Sequence, residues 1–86
     1  MRDVLFESTA FEDLAYWAKN DLKLLKKIIE LIADIQKTPF AGIGKPEALK
    51  FSYKGFWSRR INDEHRLIYT INDSEIVIAS CRYHYQ

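Results

Sequence analysis

The spacing of apolar residues changes along this chain from a helical period to a strand period. Val4-Leu5-Phe6 is a short apolar run, and Arg2–Phe6 reads as an edge or penultimate strand. Thr9 then heads a T-x-x-E arrangement with Glu12, the pattern of a capping box. Phe11, Leu14, Ala15 and Ala18 follow at helical spacing as one buried stripe, with Tyr16 and Trp17 widening it. Asn20-Asp21 ends that helix and caps a second one. From Leu22 to Gln36 the residues Leu22, Leu25, Ile28, Ile29, Ile32 and Ile35 form a broad apolar face. The short link predicts an antiparallel helix pair. Thr38 precedes Pro39, which disfavours the helical region and stops the helix.

Phe40 to Lys54 carries Gly42, Gly44 and Pro46 and reads as a loop with one irregular strand. A segment this long in a small domain points to function, with Leu49 and Phe51 pinning it to the core. Period-2 alternation then sets in. Phe56–Ile61 is a strand, Asn62-Asp63-Glu64 a turn, and His65–Ile71 a second strand with Leu67, Tyr69 and Ile71 on one face. Asn72-Asp73-Ser74 turns again, and Glu75–Tyr83 is the third strand. Strict alternation puts Val77, Ala79, Cys81 and Tyr83 on one face, with Cys81 inward, and Ile76, Ile78, Ser80, Arg82 and His84 on the other. The expected fold is α+β, one domain over 1–86. Two N-terminal antiparallel helices pack on one face of a four- to five-stranded, mainly antiparallel sheet. That leaves the other face open to a ligand, with Glu47 at its rim.

Composition narrows the class. The 86 residues allow one core. Net charge is +1, so a nucleic-acid site must be a local patch; residues 1–42 carry −1 and residues 43–86 carry +2. The single cysteine, Cys81, excludes an internal disulfide and favours a reducing, cytoplasmic setting. No apolar run approaches the ~20 residues that span a bilayer, so no membrane partner is expected. Two histidines and one cysteine far apart match no metal-ligand spacing, and no phosphate-cradling glycine loop joins a strand to a helix. No metal or cofactor is expected.

A carboxylate, an imidazole, guanidiniums and a tyrosine remain. That set suits metal-independent RNA cleavage. A Glu can take the proton of a ribose 2′-OH, and a His can give one to the departing 5′-oxygen. An arginine fits the charge on the non-bridging oxygens.

The motifs GKPEALK at 44–50, GFWSRRI at 55–61, EHRLIY at 64–69 and CRYHY at 81–85 together resemble the YoeB-type toxins of the RelE/ParE superfamily. YW at 16–17, the lysine-rich second helix and TPF at 38–40 extend the resemblance over nearly the whole chain. It implies a RelE-like fold and a toxin of a type II toxin–antitoxin pair: a ribosome-dependent mRNA endoribonuclease that cuts in the A site, between the 30S and 50S subunits, and stops translation. By motif, Glu47 matches the general base, Arg66 the phosphate-stabilising arginine, His84 the general acid, and Tyr85 the terminal aromatic that holds substrate. Lys50 and Arg60 match positive positions beside the site. The resemblance further implies a homodimer, a YefM-like antitoxin, and operator DNA bound only by the toxin–antitoxin complex. Gln86 extends the chain past the terminal tyrosine that the family pattern has.

Plainer readings stand beside these. Arg59 and Arg60 must face opposite ways, so one is a structural ion-pair partner or a plain surface residue; the resemblance puts Arg60 at the site. His65 beside an acidic turn reads as structural pairing, and Trp57 as core. Arg82 is either substrate contact or scaffold. Lysines 19, 23, 26 and 27 read as a solvated helix face, with ribosomal RNA as the alternative contact. Two other functions compete: a ParE-like inhibitor of DNA gyrase without nuclease chemistry, and a binding module without turnover.

Overall fold

A computed structural model describes residues 1–83; His84, Tyr85 and Gln86 lie outside the described residues. Strand β1 (Asp3–Phe6) leads into helix α1 (Ser8–Asn20) and helix α2 (Leu22–Lys37). Four more strands follow: β2 (Glu47–Ala48), β3 (Trp57–Arg60), β4 (Arg66–Ile71) and β5 (Glu75–Ser80). They form one sheet in the order β1-β5-β4-β3-β2. All pairings are antiparallel except β1 with β5, so the two-helix, mainly antiparallel arrangement expected from the sequence holds. β1 is an edge strand and pairs in parallel with β5.

Both helices cover one face of the sheet. The core joins Ala10 and Trp17 of α1 and Ile28, Leu31, Ile32 and Ile35 of α2 to Leu67, Tyr69, Ile76 and Ile78 of β4 and β5. α2 starts where the sequence places it. Asp21 caps it by accepting the amides of Lys23 at 3.1 Å and Leu24 at 3.2 Å. It stops at Thr38, before Pro39.

Several expectations are corrected. α1 is entered through Glu7 with no side-chain cap, and Thr9 lies inside the helix, so no capping box forms. The buried stripe of α1 is Ala10, Leu14 and Trp17, while Phe11, Ala15 and Ala18 are exposed. Both triplets have helical spacing. The one holding Trp17 goes inward because its indole NH reaches the Cys81 carbonyl at 2.8 Å inside the core. On α2, Leu22 and Ile29 face solvent, and Leu31 takes the inward position. Phe51, expected to pin the loop, is 92% exposed; Leu49 alone does so.

The largest correction concerns β5. It ends at Ser80, and its pairing with β4 shifts between Ile68 and Tyr69: Tyr69 faces Ile78, but Ile68 faces Ser80. Ala79 is the extra residue of a bulge, and a bulge reverses the alternation beyond it. Ile76 and Ile78 therefore share the core with Cys81, instead of Cys81 sharing a face with Val77 and Ala79. Past Ser80 the backbone donors turn to side chains. The Cys81 amide donates to Asp13 Oδ2 at 3.0 Å and the Tyr83 amide to His65 Nδ1 at 2.7 Å, which ends the ladder.

Candidate active site

The site is built on the sheet face away from the helices. Glu47 in β2 pairs with Ser58 in β3, and Arg60, two residues on, pairs with Arg66 in β4. Strand alternation puts Ser58 and Arg60 on one face. Lys45, Glu47, Ser58, Arg60 and Arg66 line one open cleft of about 300 Å³. Three cations surround a single carboxylate there, a composition that draws an anion with a base beside it.

Arg59 points the other way and is fully buried. Its five donors are all used. Nη1 donates to Asp34 Oδ2 at 2.5 Å and the Ile43 carbonyl at 3.2 Å, Nη2 to the Thr38 and Ala41 carbonyls at 2.7 and 2.9 Å, and Nε to Tyr69 Oη at 3.2 Å. This guanidinium ties the loop after α2 to the sheet. The hydrogen bond from Arg59 holds the Asp34 carboxyl below the usual carboxylate range, helped by the Ile43 amide. Burial raises the Tyr69 phenol, against the opposing pull of Arg59. The loop then closes on β3: the Arg60 amide donates to the Gly44 carbonyl at 2.7 Å. Gly44 has φ +79, and a Cβ there would meet Leu31 Cδ2 at 2.8 Å, so any side chain would strain the backbone and displace Leu31. Glu47 reaches the cleft because these contacts fix the loop three residues before it.

Arg60 and Arg66 are like charges directly opposite one another, a pairing that costs stability. The turn between β3 and β4 offsets it. Arg60 pairs with Asp63 at 2.9 Å, and Arg66 Nη1 donates to the Asn62 carbonyl at 2.7 Å and the His65 carbonyl at 3.1 Å. Asn62 organises that turn by accepting the Glu64 and His65 amides at 2.9 and 2.8 Å.

Of the residues singled out in the sequence, Glu47, Arg60 and Arg66 meet in the cleft. Lys50 is exposed and is not among the residues lining it. Arg82 lines a second, more apolar cavity of about 540 Å³, and its guanidinium stacks on Tyr16 at 3.5 Å from the ring centroid. His84 and Tyr85 fall outside the described residues; the residue before them, Tyr83, accepts the Arg66 amide at 3.0 Å through its carbonyl. Alternation gives no reason to choose Lys45. Its φ of +52, beside Gly44, turns it to the cleft, and only the Gly44-Lys45-Pro46 run hints at so sharp a bend. His65 is buried and structural, edge-on to Trp17 at 4.7 Å. Among the described residues no three His, Cys, Asp or Glu side chains gather as a metal site.

Relatives share this chain over almost its full length. The profile of the YoeB-like toxin of bacterial type II toxin-antitoxin system matches residues 6–85. Toxin YoeB of Escherichia coli K12 is 50% identical over 82 residues, covering 95% of this chain and 98% of the relative. The YoeB dimer from Staphylococcus aureus superposes with a TM-score of 0.92 at 52% identity, over 98% of each chain. The toxin of the heterotetrameric YoeB-YefM complex from the same organism gives 0.91 at 51%, over 99% of each. Fold and sequence agree, and the chain belongs to the YoeB-like toxins of bacterial type II toxin–antitoxin systems.

Proposed function

We propose that this toxin is a ribosome-dependent mRNA endoribonuclease that cuts in the A site by acid–base chemistry and so inhibits translation. The observation that carries the reading is the juxtaposition of Glu47 with Arg60 and Arg66 in one cleft. Glu47 is exposed, so its carboxylate can reach a ribose 2′-OH and take its proton. The freed oxygen attacks the adjacent phosphorus, closing a 2′,3′-cyclic phosphate and breaking the bond to the 5′-oxygen. His84 supplies the proton that this leaving oxygen needs. Arg66 braces the non-bridging oxygens, Arg60 and Lys50 hold flanking backbone phosphates, and Tyr85 and Arg82 hold the substrate strand. Acid and base are both side chains, so the scheme needs no metal. The 2′-OH nucleophile restricts it to RNA.

YoeB from S. aureus occurs as a dimer and with YefM, and we infer the same partners here: a second copy and a YefM-like antitoxin, with operator DNA bound by their complex. The test is to map RNA 5′ ends after induction of the wild type and of Glu47→Ala, Arg66→Ala and His84→Ala. Discrete cuts within translated codons, lost in the variants, are expected. Loss of DNA supercoiling without RNA cuts would replace this reading with gyrase inhibition.

A further inference from the structure

We propose that His65 is a positioning residue, whose imidazole holds the backbone of Tyr83, the residue that immediately precedes His84. The proposal rests on the acid role of His84 given above. His65 immediately precedes β4, the strand that carries Arg66, yet its ring points into the core, edge-on to Trp17. There Nδ1 accepts the Tyr83 amide at 2.7 Å. The next residue, Arg66, donates its amide to the Tyr83 carbonyl at 3.0 Å. Both backbone groups of Tyr83 are thus held by one dipeptide, His65-Arg66, and Tyr83 is the residue to which His84 is joined.

The clamp does what a strand ladder cannot do here. Tyr83 has φ +62, a left-handed conformation that a bulky side chain adopts only when its surroundings impose it. A regular β-partner would demand extended backbone at this position. An imidazole offers an acceptor without that demand. With Nδ1 accepting, the ring proton sits on Nε2, which faces Glu64 Oε1 at 3.6 Å. The upstream half of the tail is fixed by α1: Asp13 accepts the Cys81 amide and Trp17 donates to the Cys81 carbonyl. His65 adds a hold on Tyr83, the last described residue before His84, and does so beside Arg66, the arginine proposed to brace the phosphate.

The test compares His65→Phe, which keeps a ring against Trp17 but has no acceptor, with His65→Asn, whose Oδ1 can accept in place of Nδ1. Cleavage rate and affinity are measured on ribosomes holding mRNA, and hydrogen exchange is read at the Tyr83 amide. His65→Phe should bind ribosomes as the wild type does, lose Tyr83 protection, and cleave on the order of 10²-fold more slowly, the scale of an ångström-sized misplacement. His65→Asn should recover most of the rate and the protection. A wild-type rate in His65→Phe overturns the proposal, as does an equal loss in both variants. Should His65→Phe not fold, His65→Asn and the wild type decide: protected Tyr83 amides with near-normal cleavage in both support it. An unprotected Tyr83 amide in the wild type, or loss of rate in His65→Asn with protection intact, overturns it. If the wild type makes no cuts at all, the nuclease reading falls and this proposal with it. Cuts by the wild type that His65→Phe leaves undiminished sink this proposal alone.

Discussion

Replacing Arg59 tests whether a buried charge holds the loop before Glu47 in place. Arg59→Met keeps much of the aliphatic volume and removes all five donors. The Thr38 and Ile43 carbonyls lose a partner, and Asp34 loses its cation. Breaking a buried pair from one side costs about 3–5 kcal/mol. A chain of this size has roughly 4–13 kcal/mol in total, so about a quarter or more of its stability is at stake. The melting temperature should fall on the order of 20 °C. Urea unfolding should show a lower midpoint with an unchanged slope, so that the difference reflects stability and not compactness. Asp34→Asn is the control: it removes the charge but leaves the carbonyl contacts of Arg59, and should cost less than Arg59→Met. The pH dependence gives a second check. Because Asp34 is held below its ordinary pKa in the fold, its contribution is present above the unfolded value of ~3.9 and vanishes as pH falls through the folded one. The gap between wild type and Arg59→Met should therefore narrow below about pH 4. A loss under about 1 kcal/mol at neutral pH, within the range of ordinary surface changes, would refute the argument that this guanidinium anchors the loop.

Other outcomes follow from single contacts. Glu47→Gln should reduce cleavage by about 10²–10⁴-fold while shifting stability by no more than about 0.5 kcal/mol, since the side chain is exposed; paired rate and melting measurements check it. Burial raises the Asp13 carboxyl, with the Cys81 amide and Arg82 opposing, so its favourable contribution exists at low pH and is lost as pH rises through the folded value. Asp13→Asn, which can still accept the Cys81 amide, should be as stable as the wild type or more so at pH 7, with the advantage gone below about pH 4; thermal melts against pH read it directly. Burial pushes the Cys81 thiol up to about 12, so a thiol reagent at pH 8 should label it at the rate of unfolding and not before. Trp17→Phe removes the donor to the Cys81 carbonyl and should cost about 1–3 kcal/mol in denaturant unfolding.

Much of this molecule is written locally. The cap at Asp21 and the stop at Thr38 depend on residues within a turn of each other, and both are where the sequence puts them. The opposite facing of Arg59 and Arg60 follows from pleating alone, because adjacent side chains of a strand cannot share a face. The motifs around Glu47, Arg60 and Arg66 are likewise readable before any fold is known. What the chain does not announce depends on a partner distant in sequence. Two stripes on α1 have equal claim by period, and the choice falls to Trp17 because an acceptor 64 residues away awaits its NH. The bulge at Ala79 exists only in the pairing of β5 with β4, yet it reverses the alternation after it, so that Cys81, inward as the sequence suggests, shares the core with Ile76 and Ile78 instead of with Val77 and Ala79. Lys45 enters the cleft through a left-handed bend, and Tyr83 is held by an imidazole 18 residues upstream. Local hydrogen bonds and alternation decide which elements form; satisfying the remaining buried donors and acceptors requires the packed whole, and those long-range bonds decide where the site's side chains stand.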